Sequence, residues 1–260
     1  MPELPDVEGL KSILDKTSMN KKIRSLEVKN AKILDDISPL RLKSALEGEY
    51  FCKSFRHGKH LFAQIKSGLW LQMHFGMTGY LKFFHSIIND PSFDRLLISF
   101  SDGTFLSYVN MRMFGKVGIT QNPDEYIKVH KLGPDALRIT KEDFKEILKK
   151  KKRNLKTFFM DQNQIAGIGN DYSDEILFHS HLNPMRSTQE LNDQEITRLY
   201  NKTLEILNIG INRAIQGEQL PGNFLINYRK AAKPCPVCGT PIMSIKFSNR
   251  SSYFCPNCQK

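Results

Sequence analysis

Four of the five cysteines in this 260-residue chain lie within its last 26 residues. They form two Cys-x-x-Cys pairs, Cys235/Cys238 and Cys255/Cys258, separated by sixteen residues. A Cys-x-x-Cys turn directs two sulfur atoms at one point, and two such turns complete a tetrahedron around Zn²⁺. This spacing predicts one structural zinc ion held by four thiolates. Two disulfides are the alternative, but nothing else in the sequence indicates an oxidising compartment.

The segment between the two cysteine pairs predicts a small β-hairpin. Residues 242–247 and 252–254 have the composition of short strands, and residues 248–251 between them are typical of a turn. The result is a zinc ribbon with Arg250 at its tip. Because so small a unit has little apolar core, zinc should supply much of its folding free energy. The fifth cysteine, Cys52, lies in an apolar stretch and is expected to be buried.

The charge of the chain favours a polyanionic partner. Lys and Arg number 38 against 27 Asp and Glu, a net charge of +11. Nucleic acid is the first expectation and an acidic membrane surface the second. No apolar run is long enough to span a membrane, and residues 1–6 lack the basic and then apolar pattern of a secretory signal. We therefore expect a cytoplasmic protein.

Hydrophobic periodicity changes along the chain. Up to about residue 120, short alternating segments predict a β-sandwich or barrel, preceded by one helix. From about residue 141 the pattern is helical, with a long helix over 193–214. The predicted domains are 1–125 (β-sandwich), 126–225 (helical) and 226–260 (zinc ribbon). The predicted strands are 24–32, 50–56, 60–66, 69–75, 95–100 and 104–109.

Four segments resemble the formamidopyrimidine-DNA glycosylase and endonuclease VIII family, in the order that this family has. They are residues 1–8 (MPELPDVE), 74–79 (HFGMTG), 161–170 (DQNQIAGIGN) and the ribbon with Arg250. The resemblance extends from residue 1 to residue 260. It implies an α+β multidomain protein with an N-terminal β-sandwich and leading helix, a helix–two-turn–helix domain and a C-terminal zinc ribbon.

The resemblance also implies a bifunctional DNA glycosylase and AP lyase of base-excision repair. After removal of Met1, Pro2 would attack the sugar C1′ and form a Schiff base. An α-amine has a pKa of about 7.7–8.0 against about 10.4 for lysine, so far more of it is neutral and nucleophilic near pH 7. Glu3 would move protons, although it could also simply begin the first helix. Lys59 would assist β-elimination, and Arg250 would grip phosphate and assist δ-elimination.

Further residues match DNA contacts of the family. A trio fills the gap left by the extracted nucleotide, and a second set binds phosphate. The alternatives are core packing for Met77 and Phe114, a helix N-cap for Asn170, and a solvated helix end for the basic run 149–153. The trio is Met77, Arg112 and Phe114. The phosphate set is His74, Asn170, Lys151 and Lys156.

The chain departs from the family pattern at several places. Asp6 stands where glutamate is usual, Asp171 stands where an apolar residue is usual, and residues 93–95 replace a histidine-bearing segment that touches DNA. Residues 217–233 form a shorter segment than the one that closes over 8-oxoguanine in some members. We therefore expect hydantoins, formamidopyrimidines or oxidised pyrimidines to be better substrates than 8-oxoguanine opposite cytosine.

The expected partner is double-stranded DNA containing damaged bases or abasic sites. We expect a monomer, associated with the nucleoid of a prokaryote, that needs no diffusible cofactor. The alternative function is a non-catalytic damaged-DNA-binding protein with the same helix–two-turn–helix and ribbon, against which Pro2, Glu3 and Lys59 argue. A ribbon-bearing transcription or translation accessory protein would explain the charge and the cysteines but not the N-terminus.

Overall fold

The computed structural model describes residues 1–247 and 250–260, so Ser248 and Asn249 of the predicted hairpin turn lie outside the described residues. The chain divides into two compact units, Met1–His130 and Lys131–Lys260. The helices are α1 (Leu4–Thr17), α2 (Pro39–Leu46), α3 (Pro123–Val129), α4 (Lys141–Lys150), α5 (Leu155–Met160), α6 (Asn170–His179) and α7 (Asp193–Gln216). The strands are β1 (Ile23–Val28), β2 (Phe51–His57), β3 (His60–Ile65), β4 (Trp70–His74), β5 (Gly79–Phe84), β6 (Asp94–Phe100), β7 (Phe105–Asn110), β8 (Lys116–Thr120), β9 (Met243–Phe247) and β10 (Arg250–Phe254).

The first unit is the predicted β-sandwich. Its two four-stranded antiparallel sheets have the orders β1-β6-β7-β5 and β2-β3-β4-β8. Both sheets contribute to one core, which also takes the buried face of α1 through Val7, Leu10 and Leu14. Alternation along the strands produces this arrangement, because every second side chain points to the same face. The leading helix and the sandwich are thus confirmed.

Several elements of the first unit were not predicted from the sequence. β5 and β8 each contain a glycine, Gly79 and Gly118, a residue that is depleted in strands and weakens the sequence pattern. α2 and α3 were also missed, although each begins with a polar N-cap followed by proline. The expectation that Cys52 is buried was wrong, because Cys52 is exposed on β2.

The second unit contains four of the helices and the β9–β10 hairpin. α7 starts at a capping box formed by Asn192 and Glu195 and ends at Gly217, whose φ of 74° is left-handed. α5 and α6 are joined by the turn-rich residues 161–169, as the helix–two-turn–helix prediction requires. Among the described residues, no helix combines the length and apolar character that a membrane crossing needs.

The zinc ribbon has a small core that it shares with α6. Phe178 of α6 packs with Leu225, Ile242 and two of the cysteines. Leu225 belongs to a 3-10 helix, Leu225–Tyr228, that precedes the ribbon. The buried carboxylate of Glu175 accepts hydrogen bonds from the backbone N–H groups of Leu225 (2.9 Å) and Ile226 (2.7 Å). α6 is therefore the element to which the ribbon and the segment before it are attached.

Candidate nucleic-acid interface and metal centre

The four clustered cysteines form a metal site. Their sulfur atoms all lie within 4.8 Å of one another, and three of the pairs are 3.4, 3.5 and 3.9 Å apart. Tetrahedral coordination with Zn–S bonds of about 2.3 Å puts sulfur atoms about 3.8 Å apart, so the cluster has the right size for one zinc ion. None of the five cysteines forms a disulfide. Cys235, Cys238, Cys255 and Cys258 thus provide the predicted four-thiolate site.

The start of α1 orders the N-terminal segment. Glu3 is the N-cap residue, and its backbone N–H donates to the Asp6 carboxylate at 2.9 Å. The shorter side chain of Asp6 therefore still reaches the helix start. Glu3 is buried at 2% exposure, whereas Pro2 beside it is half-buried. Pro2 consequently lies just before the N-terminal end of α1.

Lys59 lies in the two-residue turn between β2 and β3 and is buried. The turn is fixed by Arg56, whose Nη1 donates to the Gly58 carbonyl oxygen at 3.1 Å. The Nε of the same guanidinium donates to Glu8 of α1 at 2.5 Å. Arg56 is itself 3% exposed, so this charged pair is largely removed from water. The turn that carries Lys59 is thereby joined to the helix that carries Glu3.

His74 at the end of β4 is held as a neutral ring. Burial, together with the positive charge of Lys59, lowers the pKa of His74 to about 4. Its Nδ1 accepts a hydrogen bond from the Gly76 backbone N–H at 3.3 Å. The ring proton of the neutral form is therefore on Nε2, which is the donor that a phosphate oxygen would need.

Two loops bring the predicted trio together at the end of the sandwich. The backbones at Gly76 and Gly115 approach so closely that a Cβ at Gly76 would lie 2.5 Å from the Gly115 nitrogen. The Arg112 N–H donates to Thr78 Oγ1 at 3.2 Å, which links the two loops again. The Arg112 guanidinium lies 5.3 Å from the centre of the Phe114 ring. Exposure of Met77 (41%) and Phe114 (57%) excludes the core-packing alternative for both.

In the second unit, Asn170 and Arg250 lie close together. Asn170 is the first residue of α6, and its N-cap is Gly169 rather than Asn170 itself. The Asn170 Nδ2 donates to the carbonyl oxygen of Ser251, the neighbour of Arg250, at 3.1 Å. Arg250 begins β10 and is exposed, with Nη1 3.9 Å from the Met160 sulfur. Lys151, directly after α4, is also exposed.

Lys156 was expected to bind phosphate, but the structure buries its side chain. Its side chain is 1% exposed, and its ammonium group donates to Asp174 at 2.6 Å. The same group donates to the Asn170 carbonyl oxygen and to Ser173 Oγ, each at 2.8 Å. A buried ammonium with these three acceptors is not presented at the surface. Lys156 fixes the start of α6 instead.

Asp174 is the centre of a buried network that ties α6 to the hairpin. Besides Lys156, its carboxylate accepts hydrogen bonds from Ser252 Oγ and from the Tyr253 backbone N–H at 3.1 Å. Arg229 donates to it at 3.0 Å and also pairs with Asp171. The unusual Asp171 therefore has a cationic partner. Through Ser252 and Tyr253, the network holds the strand that begins with Arg250.

The positioning residues Arg56, Asp174 and Arg229 were not found from the sequence. The sequence holds a partial signal for Asp174 and Glu175, because these two adjacent acids directly precede three apolar residues, 176–178, in a predicted helix. Charged residues are rarely fully buried unless they are paired, so such a position indicates an ionic network. Their partners, distant in the chain, carry no comparable signal.

Comparison with known proteins accounts for nearly the whole chain. The model of the formamidopyrimidine-DNA glycosylase N-terminal domain matches residues 1–117. The model of the formamidopyrimidine-DNA glycosylase H2TH domain, the helix–two-turn–helix, matches residues 132–220. A zinc finger found in formamidopyrimidine-DNA glycosylase and IleRS matches residues 232–260. The order of these matches is the order of the sandwich, the helical domain and the ribbon.

Full-length relatives and solved structures agree with these matches. Formamidopyrimidine-DNA glycosylase of Pelotomaculum thermopropionicum is 34% identical, with 100% of this chain and 99% of the relative covered. That of Mycoplasma genitalium is 34% identical, with coverage of 100% and 96%. The Lactococcus lactis enzyme, solved non-covalently bound to DNA containing an AP site, has a TM-score of 0.88 at 27% identity, with 99% of both chains covered. A MutM structure with DNA containing carbocyclic 8-oxo-G has a TM-score of 0.88 at 28% identity, with both chains covered completely. This chain therefore belongs to the formamidopyrimidine-DNA glycosylase family.

Proposed function

We propose that this protein is a bifunctional DNA glycosylase and AP lyase that acts as a monomer on duplex DNA containing oxidised bases or abasic sites. The observation that carries the proposal is the junction of Glu8, Arg56 and Gly58, which joins the start of α1 to the turn with Lys59. A nucleophile, a buried carboxylate and a buried lysine are thus supplied by two connected elements. Such a substrate would place the protein at the nucleoid of a bacterial cell.

The proposed reaction begins with removal of Met1, which frees the secondary amine of Pro2. This amine attacks the sugar C1′, the bond from C1′ to the base breaks, and the base leaves with a proton that Glu3 can supply. The attached nitrogen loses its proton, its lone pair breaks the bond from C1′ to O4′, and O4′ takes up a proton, so that the opened sugar is bound to Pro2 as an iminium ion. Loss of a C2′ proton expels the 3′ phosphate in β-elimination, and a second elimination expels the 5′ phosphate. Hydrolysis of the iminium releases the sugar fragment and restores the amine.

The remaining residues of the proposed site bind DNA, and one of them, Arg250, would also assist the second elimination. His74, through Nε2–H, and Asn170, at the start of α6, would bind phosphates, as would Lys151. Met77, Arg112 and Phe114 would fill the gap from which the nucleotide is drawn. The guanidinium of Arg250 would form two hydrogen bonds to the 5′ phosphate, which leaves in the second elimination.

Borohydride trapping tests the proposal directly. We expect reduction in the presence of a duplex with an abasic site to give a covalent protein–DNA complex, with the DNA attached to an N-terminal peptide that starts at Pro2. Mass spectrometry of the digested complex identifies the attachment site. Tight binding to the same duplex without any covalent complex would instead support a damage-binding protein without catalysis.

We further propose that 8-oxoguanine opposite cytosine is not the preferred lesion. From Phe224 onward the segment before the ribbon is attached to α6, because Phe224 and Leu225 are buried and Glu175 binds the backbone at Leu225 and Ile226. Only residues 218–223 remain between Gly217 and this attachment. So short a stretch offers little cover for a flipped base, and each lost hydrogen bond removes about 0.5–1.5 kcal/mol of discrimination.

Selection would then depend on how easily a lesion leaves the base stack. In single-turnover excision from otherwise identical duplexes, we expect hydantoins, formamidopyrimidines or oxidised pyrimidines to react about 10-fold faster than 8-oxoguanine opposite cytosine. An abasic duplex serves as the control, since it measures strand nicking without base recognition. A clear preference for 8-oxoguanine would refute the argument from the short segment.

A further inference from the structure

Phe93 is an exposed aromatic residue held in a costly backbone conformation. Its side chain is 51% exposed, and its φ of 63° is left-handed. A bulky residue rarely adopts this conformation, which asparagine or glycine tolerates far better. An exposed ring and a strained backbone at one position do not serve the stability of the sandwich. Strain of this kind is concentrated at functional sites.

The surrounding structure fixes Phe93 next to the loop with Arg112 and Phe114. The Phe93 carbonyl oxygen accepts a hydrogen bond from the Asn110 N–H at 3.0 Å, and Asn110 is the last residue of β7 before that loop. β6, which follows Phe93, pairs with β7 so that Asp94 lies opposite Val109. Phe93 therefore lies at the same end of the sheet as the trio that the proposed function assigns to the DNA gap.

Arg95 gives Phe93 a cationic neighbour. Its guanidinium carbon lies 5.7 Å from the centre of the Phe93 ring, and its Nε donates to the Asn110 carbonyl oxygen at 3.0 Å. The same arrangement, a guanidinium over an exposed phenyl ring, occurs at Arg112 and Phe114. Two arginine–phenylalanine pairs thus occur on adjacent segments at one sheet end. Such a pair can bind DNA in two ways at once, because the ring can stack on a base while the cation contacts the phosphate next to that base.

We infer that Phe93, with Arg95, is a second stacking element for DNA, which contacts an unstacked base beside the lesion. The inference rests on the proposed function, because it takes damaged duplex DNA as the partner. The ring supplies an apolar face for the base, and Arg95 supplies the charge for the neighbouring phosphate. Since an undamaged duplex has no unstacked base, Phe93 should contribute to damage recognition more than to general DNA affinity.

Phe93→Asn is the informative variant, since asparagine removes the ring but tolerates the left-handed backbone. We expect its thermal stability to be equal or higher and its affinity for a duplex with a tetrahydrofuran abasic analogue to fall about 10-fold. Affinity for the undamaged duplex should change less than about 2-fold, and Phe93→Tyr should retain binding of the damaged duplex. Ile88→Asn is the matched control, because it removes a side chain of the same loop that is 90% exposed.

Fluorescence anisotropy at fixed salt measures these affinities, and 2-aminopurine beside the lesion reports stacking by quenching. Equal affinities of Phe93→Asn and Ile88→Asn for the damaged duplex would overturn the inference. Phe114→Ala separates this outcome from failure of the proposed function. If Phe114→Ala weakens damaged-duplex binding and Phe93→Asn does not, only Phe93 has been assigned wrongly. If neither variant changes the affinity for the damaged duplex, the proposed interface itself is wrong.

Discussion

Replacing Pro2 with glycine is expected to lower strand nicking on the order of 10³-fold. A secondary amine gives an iminium ion that is cationic without further protonation, whereas the imine of a primary amine must first gain a proton. The cation withdraws electrons from the sugar, which both eliminations require. DNA affinity should change less than about 3-fold, because phosphate contacts elsewhere supply it. Nicking of an abasic duplex under single-turnover conditions and anisotropy with the same duplex measure the two quantities.

Pro39→Gly is a suitable control for the loss of a proline. Pro39 is exposed at the first position of α2, so its replacement affects helix stability but not the proposed nucleophile. A variant with a residue that blocks removal of Met1 provides a second control, since it retains Pro2 but not its free amine. The blocked protein should fail to form the borohydride adduct, whereas Pro2→Gly should form it more slowly, because its primary amine can still give a reducible imine. Equal losses of nicking and binding in Pro2→Gly, or full activity, would contradict the mechanism.

Replacing Cys238 with serine is expected to remove bound zinc and to weaken DNA binding more than about 100-fold. A four-thiolate site contributes most of the folding free energy of so small a ribbon, whose apolar core is confined to a few residues shared with α6. Without zinc, β10 is no longer ordered and Arg250 loses its position. The sandwich should survive, because its core is built entirely from residues of the first unit.

Zinc content, DNA affinity and a thermal melt test this expectation together. We expect less than one zinc ion per chain and a melt in which a cooperative transition of the sandwich persists. Cys52→Ser is the matched control, since Cys52 is exposed on β2 and lies outside the metal cluster. One tightly bound zinc ion and normal DNA affinity in Cys238→Ser would refute the role given to the ribbon.

Local patterns in the sequence were sufficient for much of the fold. Short alternating segments separated by turn residues located β3 and β4, and the change to a helical period located α7. α2 and α3 were missed because each is shorter than three turns, so periodicity is weak. The Ser38-Pro39 and Asn122-Pro123 pairs, an N-cap before a proline, could have revealed them.

The candidate site was predictable only in part. The cysteine spacing alone identifies the metal ligands, because the geometry of coordination is encoded within a few residues. Lys156 was assigned to the surface because a lysine near a basic run is normally solvated. Its burial depends on Asp174, eighteen residues away, and on strand β10 beyond it. Such pairing is determined by tertiary structure and has no local sequence pattern.

The burial of Lys156 has a consequence for how DNA binding should respond to salt. Each phosphate that a surface cation neutralises releases a condensed counterion, which contributes about 0.9 to the slope of log K against log salt concentration. Lys156, Arg229 and Arg56 are already neutralised by carboxylates within the folded protein. They release no counterions when DNA binds. The entropy of counterion release is therefore set by exposed cations such as Lys151 and Arg250, and it is smaller than the count of 38 Lys and Arg residues suggests.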